Sequence, residues 1–401
     1  MQVTYLHQYF NTPAMHGPTR SYELARRLVA AGHEVNIITS WRDSHGRQGW
    51  FETDEAGIRV HWLPVPYSNT MSHFERLRSF FRFAAGAARR AGKLDADVVF
   101  ASSTPLTIAL PGVYAARRKR VPMVFEVRDL WPDVPIALGA LKGGLSKKLA
   151  FGLERFAYKR SSRIVALTPT MRDFLSGKRV PLEKISVIPN GSNIRQADSA
   201  DAPPTDRVSF ERPTLLYCGS LGPAHGPEYL VRLAIAFHNL GLDTQIVVVG
   251  KGKLEAQLIA DAEAAGCLDK TIHFLGSIPR EQIYAYFRAA DASIMTMAQT
   301  EILYRHSVQN KFFDSLAAGC PVFANYNGWA SEIAEIEGVG EILPFDDIDA
   351  AARKVHERVS DVQWLEHSGQ LARRLAENRF NFDLLAEKLE ATLADAVAGD
   401  G

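Results

Sequence analysis

The sequence predicts an α/β protein built from two doubly wound domains with parallel sheets. Three observations support this prediction. A chain of 401 residues with 46% hydrophobic residues can bury two separate cores. Short β-rich runs alternate with longer amphipathic runs, a pattern typical of parallel βαβ units. This alternation stops once, in a segment rich in Asp, Ser, Ala and Pro, and then begins again.

The first half of the chain contains the strands of the predicted N-terminal domain. A helix is expected at Ser21–Ala31 and a longer amphipathic helix at Phe74–Lys93. The segment 193–213 is predicted to be an interdomain linker, which gives residues 1–192 to the N-terminal domain. The predicted strands are Val3–Leu6, Glu34–Thr39, Asp97–Ala101, Pro122–Glu126, Arg163–Leu167 and Ile185–Pro189.

The second half repeats the pattern and predicts a C-terminal domain over residues 214–376. Because ligands of open α/β sheets bind at the carboxyl ends of the strands, we expect a ligand cleft between the two domains. The strands are expected at Thr214–Cys218, Thr244–Val249, Thr271–Leu275 and Ala292–Met295, and the helices at Pro227–Leu240, Lys253–Ala265 and Arg280–Ala290.

Composition argues against several classes of function. The 46 Lys and Arg residues are balanced by 45 Asp and Glu, so the chain lacks the basic field that supports nucleic-acid binding. The three cysteines lack CxxC spacing, which favours reduced thiols in the cytoplasm over disulfides or a zinc site. The first residues do not resemble a signal peptide, and no apolar run reaches the roughly 18 residues of a membrane span.

A glycine-rich loop follows the first strand of the second domain and precedes a helix. Free backbone amides and the positive end of the helix dipole could hold a diphosphate there, and glycines would let the anion approach the backbone. An ordinary βα turn is an equally plausible interpretation of the same pattern. The candidate residues are Gly219, Ser220, Leu221, His225 and Gly226.

A second motif, Asn310 to Val322, predicts a helix that ends at Gly319 before a strand led by Pro321. Lys311 and Asp314 are three residues apart and therefore share one face of this helix. A solvated surface pair is the usual meaning of such spacing. The setting, close to the glycine loop in the same predicted sheet, makes a ligand site the competing interpretation.

Charged residues also collect at the carboxyl end of a strand in the first domain. Glu126, Arg128 and Asp129 follow an apolar run, which indicates either an active-site position or a structural ion-pair network. Nearer the N-terminus, His16, Gly17 and Arg20 open a helix and could contact an acceptor, although loop residues of this kind often have no such role.

The Phe74–Lys93 segment combines apolar residues at helical spacing with several arginines. A basic amphipathic helix of this type can lie on an anionic membrane surface, and Arg117–Arg120 could extend the basic area. The alternative is a helix that packs its apolar face into the core and leaves a solvated basic face.

Taken together, the motifs resemble the fourth family of retaining glycosyltransferases, and especially its bacterial cell-surface polysaccharide branch. The resemblance extends over nearly the whole chain. It rests on five stretches in the same order: Gly17 to Gly32-His33-Glu34-Val35, Glu126 to Pro132, Ile188 to Gly191, Gly219 to Gly226, and Asn310-Lys311 to Pro321.

The resemblance implies the GT-B fold, in which two Rossmann-like domains face each other. It also implies a final helix, Phe380–Ala396 within residues 377–401, that crosses back to the N-terminal domain. The C-terminal domain would bind a nucleotide sugar, expected to be UDP-linked, and the N-terminal domain a glycan or lipid-linked acceptor. Transfer would retain configuration and need no metal ion or other cofactor, because helix dipole and basic side chains neutralise the leaving diphosphate. The implied donor contacts are Gly219, Ser220, Leu221, His225, Gly226, Asn190, Asn310, Lys311 and Asp314.

Several positions depart from the family pattern. Ser220 and His225 stand where the family usually has Arg and Lys, and His306 replaces the first of two glutamates, while Asp314 keeps a carboxylate at the second. In the first domain Glu126, Arg128 and Asp129 are the implied catalytic residues. Cell-envelope glycan synthesis in the cytoplasm, with peripheral contact at the inner face of the plasma membrane, is the expected setting. A nucleotide-sugar 2-epimerase and a non-catalytic sugar-nucleotide-binding protein are the alternatives.

Overall fold

The computed structural model describes residues 1–15, 17–42, 47–66, 71–203 and 207–399, and the chain divides into two compact units. The first unit comprises Met1–Thr12, Pro18–Pro189 and Phe382–Gly401, and the second comprises Pro13–Gly17 and Asn190–Asn381. Residues 193–213, predicted as a linker, therefore belong to the second unit. The polar composition of this segment does not predict the helix Ile194–Asp198, whose Ala197 is buried.

The first unit contains an eight-stranded sheet in the order β3-β4-β2-β1-β5-β6-β7-β8. All neighbouring strands pair in parallel except β3 and β4, which form an antiparallel hairpin. The strands are β1 Gln2–Leu6, β2 Glu34–Trp41, β3 Phe51–Glu55, β4 Ile58–Pro64, β5 Val98–Ser102, β6 Met123–Val127, β7 Arg163–Ala166 and β8 Ile185–Val187.

Helices cover this sheet, so the central strands β5 and β6 are buried over their whole length. Short 3₁₀ turns occur at Leu106–Ile108 and Leu182–Lys184. The helices of the first unit that precede residue 190 are α1 Arg20–Ala30, α2 His73–Ala91, α3 Ala109–Lys119, α4 Asp133–Ala137, α5 Gly144–Arg160 and α6 Pro169–Gly177.

The second unit contains a six-stranded, entirely parallel sheet in the order β11-β10-β9-β12-β13-β14. Its core is formed where the apolar strands meet the buried faces of the flanking helices, and includes Tyr229, Phe237 and Phe323. The strands are β9 Thr214–Cys218, β10 Gln245–Val249, β11 Ile272–Gly276, β12 Ala292–Met295, β13 Val322–Ala324 and β14 Gly340–Ile342.

The helices of the second unit alternate with these strands, with 3₁₀ turns at Pro223–His225 and Arg280–Gln282 and a π turn at Ala376–Phe380. They are α7 Ile194–Asp198, α8 Glu228–Leu240, α9 Glu255–Ala264, α10 Ile283–Ala289, α11 Glu301–His306, α12 Asn310–Ala317, α13 Trp329–Ile336, α14 Ile348–Val359 and α15 Val362–Leu375. The two predicted α/β domains with parallel-dominated sheets are confirmed.

The last helix, α16 Phe382–Gly399, belongs to the first unit, although its sequence follows the second. The Arg27 guanidinium lies 5.4 Å from the ring centroid of Phe382, and the hydroxyl of Thr392 donates to Ser186 Oγ at 3.0 Å. The terminal helix predicted from Phe380 thus begins two residues later and packs against α1 and the sheet of the first unit.

Each sheet has one point where the chain changes its direction of winding. In the first sheet this switch lies between β1 and β5, and in the second between β9 and β12. Loops that leave the carboxyl ends of such a strand pair form the usual ligand site of a doubly wound sheet. The ligand-binding residues of each unit are therefore expected at these two places.

Candidate functional site

The glycine loop of residues 219–226 leaves the carboxyl end of β9, at the switch point of the second sheet. Its last residue, Gly226, has a φ of 54°, and a Cβ there would lie 2.9 Å from the backbone nitrogen of Ala298. Only glycine fits this close approach at a positive φ. The loop is thereby held against the segment that follows β12.

The same loop interlocks with the turn after β10. The amides of Gly219 and Leu221 donate to the carbonyls of Val249 and Lys251 at 2.9 and 3.0 Å. A Cβ on Gly250 would lie 1.8 Å from the Gly219 carbonyl oxygen. These bonds fix the path of the loop. They also occupy two amides of the loop, and the amides of His225 and Gly226 donate to the Gly222 and Pro223 carbonyls within it. The predicted backbone phosphate contacts are thereby narrowed to the amides of Ser220, Gly222 and Ala224.

Lys311, in the first turn of α12, lies directly beneath this loop. Its side chain is buried, with the residue 7% exposed, and its ammonium has no hydrogen-bond or ion-pair partner among the described residues. Nζ lies 3.4 Å from the ring centroid of Tyr217, and a Cβ on Gly219 would lie 2.9 Å from Nζ. Burial lowers the pKa of Lys311 to about 7, although the nearby Cys218 acts in the opposite direction.

A buried ammonium without a counter-ion is costly, and proteins normally neutralise or pair such a group. At this place the missing partner would lie beside glycine backbone at the carboxyl edge of a parallel sheet, where phosphates bind. The arrangement is therefore suited to an anion brought by a ligand. The spacing of Lys311 and Asp314 also allowed a solvated surface pair. Lys311 does not form one, because it is buried and does not contact Asp314.

Neutral groups complete the surroundings of Lys311. The Tyr217 hydroxyl donates to the Ser220 carbonyl at 2.8 Å. Gln309 Nε2 donates to the Thr296 carbonyl at 2.8 Å and lies 3.4 Å from His225 Nδ1. Burial, together with the charge of Lys311, lowers the pKa of His225 to about 4, so His225 is neutral at pH 7. Lys311 is thus the cation that this pocket offers to a ligand.

Asp314 forms a buried ion pair in the second unit. Its Oδ2 accepts from Arg280 Nη1 at 2.6 Å, its Oδ1 accepts from Arg280 Nη2, and the Tyr284 hydroxyl donates to Oδ1 at 3.0 Å. The carboxylate is buried and engaged on both oxygens. These contacts are those of a structural ion pair. The predicted contact of Asp314 with ribose hydroxyls stays a prediction.

The two predicted asparagine contacts also lie in the second unit. Asn190 is buried, and its side-chain oxygen has no hydrogen-bond partner in the described structure. Asn310 is half-buried at the first position of α12, next to Lys311. Both positions are compatible with ligand contacts, and the donor-binding role of each stays a prediction.

In the first unit, Glu126 and Arg20 form a buried ion pair. Arg20 Nε and Nη2 donate to Glu126 Oε1 at 3.0 and 2.8 Å, and the guanidinium also donates to the carbonyls of Ile188 and Pro189. Ser102 donates to the other carboxylate oxygen of Glu126. Both side chains are buried and paired, which favours the structural ion-pair network over an active-site position. The catalytic role of Glu126 and the acceptor contact of Arg20 stay predictions.

Arg128 and Asp129 lie just beyond the end of β6. Arg128 is half-buried, and its guanidinium contacts His7 Nε2 at 3.1 Å, while its backbone amide donates to Ser103 Oγ at 3.1 Å. Burial and the charge of Arg128 hold the pKa of His7 well below its usual range. Asp129 is exposed to solvent. It is the predicted catalytic carboxylate whose position allows contact with a substrate.

Two acceptor-side residues complete the set. Gly17 is exposed and has a φ of 121°, a conformation that favours glycine. His16 lies outside the described residues, so its predicted contact is not addressed by the structure. Within the described residues, no group of three or more His, Cys, Asp or Glu side chains is arranged to hold a metal ion.

Four residues near these sites were missed by sequence reasoning. Tyr217 was counted as part of the apolar strand Thr214–Cys218, and His7, which directly follows the strand Val3–Leu6, was given no role. Arg280 stands in the loop after β11, and Gln309 immediately precedes α12. Their shared signal is a polar or aromatic residue at the carboxyl edge of a parallel sheet, which periodicity alone does not single out.

Comparison with known families matches both units. The family described as "Glycosyl transferase 4-like domain" matches residues 17–191, and the family described as "Glycosyl transferases group 1" matches residues 212–361. The chain belongs to the GT-B glycosyltransferases. The resemblance to the fourth family stated from the motifs is thereby confirmed.

Two curated proteins are similar to this glycosyltransferase. A colanic acid biosynthesis glycosyl transferase, WcaI, from Escherichia coli is 24% identical over 59% of the chain, and the match spans 63% of that protein, less than two thirds of its length. A GDP-mannose-dependent alpha-(1-6)-phosphatidylinositol monomannoside mannosyltransferase from Mycobacterium tuberculosis is 23% identical, over 76% of each chain.

Among solved structures, HepE from Anabaena in complex with UDP-glucose has a TM-score of 0.71 to this glycosyltransferase. The two chains are 17% identical, and the alignment covers 98% of this chain and all of HepE. At that identity the likeness shows the fold alone. It extends over both units, so the predicted GT-B fold is confirmed for the whole chain.

Proposed function

We propose that this glycosyltransferase transfers a hexosyl or N-acetylhexosaminyl group from a UDP-sugar to a glycan or lipid-linked glycan precursor, with retention of configuration and without a metal ion. The observation that carries the donor part is Lys311, a buried ammonium without a counter-ion beneath a glycine loop. A nucleoside diphosphate supplies the missing negative charge in a form that glycine backbone can approach.

In the proposed reaction, the sugar–phosphate bond breaks as negative charge develops on the diphosphate. Lys311 and the loop amides of Ser220, Gly222 and Ala224, which have no backbone carbonyl partner among the described residues, stabilise that charge. The acceptor hydroxyl attacks the anomeric carbon from the face that the diphosphate leaves, and the leaving phosphate oxygen accepts the hydroxyl proton. Asp129, with Arg128 beside it, is proposed to orient the acceptor.

The nature of the donor and acceptor is supported by the relatives. HepE is described in complex with UDP-glucose, which favours UDP, whereas the mycobacterial relative is described as GDP-mannose-dependent. The colanic acid and phosphatidylinositol mannoside names of the relatives favour a cell-envelope glycan or a lipid-linked acceptor. A cytoplasmic setting, where nucleotide sugars are the donors, follows as part of the same proposal.

The test is a transfer assay with the purified full-length protein in EDTA. UDP- and GDP-sugars are each paired with lipid-linked glycan acceptors, and release of nucleoside diphosphate is followed. We expect acceptor-dependent release from a UDP-sugar and an α-anomeric product from an α-linked donor, read by NMR. An inverted product would contradict retention, and full loss of activity in EDTA that added Mg²⁺ restores would contradict metal independence.

Controls without acceptor separate the two alternative functions. Conversion of the donor to a second sugar in the absence of acceptor would identify a 2-epimerase. Tight UDP-sugar binding with no turnover for any acceptor would identify a sugar-nucleotide-binding protein. Asp129→Asn is expected to lower transfer at least about 100-fold with little change in UDP affinity, because Asp129 belongs to the proposed acceptor side.

A further inference from the structure

Helix α2 has two apolar stripes, and only one of them packs into the first unit. Phe83, Ala87 and Ala91 are buried. Phe74, Leu77 and Phe81 form a second stripe whose residues are 76%, 49% and 50% exposed. The interpretation of the predicted Phe74–Lys93 helix as one core-packing face with a solvated basic face therefore does not account for these three side chains.

Arginines run alongside the exposed stripe. At 100° per residue, Arg78, Arg82 and Arg89 lie along one flank of the ridge formed by Phe74 and Phe81. All three arginines are exposed. The single acidic residue of α2, Glu75, has its carboxylate bonded to Ser72 in the capping box that begins the helix. The outer face of α2 is thus apolar and basic, and its one exposed carboxylate, that of Glu75, stands at the N-terminal end of the helix.

The same combination continues on two neighbouring helices. Helix α3 packs against α2, and α5 packs against α3. Tyr114 of α3 is 47% exposed, and Leu145 and Leu149 of α5 are 73% and 65% exposed. The acid of α5, Glu154, is buried and bound to Lys178. The exposed basic residues of α3 and α5 include Arg117, Arg118, Lys148, Arg155 and Lys159.

Between α3 and α5 this surface contains an open recess of about 580 Å³. Arg117, Arg118 and Arg120 line it together with Tyr114 and Phe156. The recess is lined by both arginine and aromatic side chains, a combination suited to a phosphate group attached to an apolar body. It lies in the first unit, whereas the glycine loop and Lys311 belong to the second.

We propose that the exposed faces of α2, α3 and α5, here called the three-helix surface, dock on an anionic lipid bilayer. Phe74, Leu77, Phe81, Leu145 and Leu149 enter the interface, and the arginines and lysines pair with lipid phosphates. Charge complementarity selects the occupant, because exposed cations far outnumber exposed carboxylates on these three helices, which matches an anionic headgroup layer. The inference does not depend on the identity of the sugar donor.

Vesicle sedimentation of the full-length protein, without any nucleotide, tests this proposal. Phosphatidylcholine vesicles are compared with vesicles containing about 30% phosphatidylglycerol. We expect binding to the anionic vesicles only, weakening as salt shortens the range of electrostatic attraction. Equal binding to both, or binding to neither, would overturn the proposal.

Paired variants locate the contact. Phe74→Ser with Phe81→Ser, and separately Arg78→Glu with Arg82→Glu, are each expected to lower partitioning at least about tenfold. Matched controls lie in the second unit: Ile336→Ser, at a residue 82% exposed, and Arg353→Glu with Arg374→Glu. The controls are expected to bind like wild type. Equal losses in variants and controls would overturn the assignment, and thermal unfolding midpoints verify that every variant is folded.

Discussion

Two buried cations, one in each unit, differ in what surrounds them. Arg20 lies at the start of the helix after β1, and its guanidinium bonds Glu126 and two backbone carbonyls. Lys311 lies at the start of α12 after β12, and its ammonium has no partner among the described residues other than the face of Tyr217. The comparison teaches that the fold itself supplies the counter-charge of Arg20, whereas it supplies none for Lys311, for which we propose a ligand.

The difference also separates stability from function. The Arg20–Glu126 pair joins α1 to β6 and to the segment after β8, so it holds three parts of the first unit together. Lys311 gives the folded protein nothing comparable, because its desolvation is not offset by a counter-ion. We therefore expect substitutions at the two positions to affect different quantities, and the following predictions test this.

The largest effect on stability is expected for Arg20→Met. Glu126 would keep its buried charge without a counter-ion, and the free energy of unfolding should fall by about 3–5 kcal/mol, measured by urea denaturation. Arg20→Met combined with Glu126→Leu removes both charges and should recover part of this loss. A loss below about 1 kcal/mol in the single variant would mean that the pair does not organise the unit.

Lys311→Met should leave stability unchanged or raise it, and it should change the pH dependence. The pKa of Lys311 is about 7 in the folded protein and 10.5 in the unfolded chain, so the unfolded chain binds more protons between these values. Wild-type stability should therefore rise between pH 7 and 8.5, by at most about 1.4 kcal/mol per unit. The variant should lose this rise. If stability rose equally with pH in wild type and in the variant, Lys311 would not be the source of the rise.

Much of the fold could be predicted from the sequence, because parallel strands buried on both faces are short apolar runs. The predicted strand Thr214–Cys218 is the observed β9, and Ala292–Met295 is the observed β12. The hairpin of β3 and β4 was missed, since β3 is a polar edge strand whose alternation Phe51 to Glu55 lacks a continuous apolar run.

The site was predictable in position but not in pairing. The glycine loop and Lys311 were found from local motifs, because each lies within one strand–loop–helix segment. The pairing of Arg20 with Glu126, 106 residues apart, depends on the order of strands in the sheet, which local patterns do not encode. Helical periodicity likewise showed that α2 is amphipathic without showing that its Phe74 stripe faces solvent.

A smaller effect, on UDP binding, is expected from a change that displaces the glycine loop of residues 219–226, which covers Lys311. Gly250→Ala would force a methyl group against the Gly219 carbonyl, so the loop must move, and UDP should bind at least about tenfold more weakly. Gly241→Ala is the matched control, since Gly241 also has a positive φ but its Cβ would meet no atom within 4 Å. The control should lose about 1 kcal/mol of stability and keep its UDP affinity. Equal UDP affinity in both variants would contradict a role for the interlocked loops.

The smallest effect is expected at Tyr217, whose ring lies under the ammonium of Lys311. Tyr217→Leu removes the cation–π contact and should weaken UDP binding by about 1–2 kcal/mol. Tyr217→Phe keeps the ring and loses only the hydroxyl bond to Ser220, so its affinity should stay within about fivefold of wild type. If Phe and Leu were equally harmful, the hydroxyl and not the ring would position the site.

The central claim is that Lys311 lacks a counter-ion because a nucleoside diphosphate supplies it. Calorimetric titration of UDP into wild type and Lys311→Met, both in EDTA, tests it directly, with folding of the variant verified by its unfolding midpoint. The account predicts measurable binding by wild type and an affinity at least about 100-fold lower for the variant. UDP affinity within about threefold of wild type in a folded Lys311→Met would contradict it.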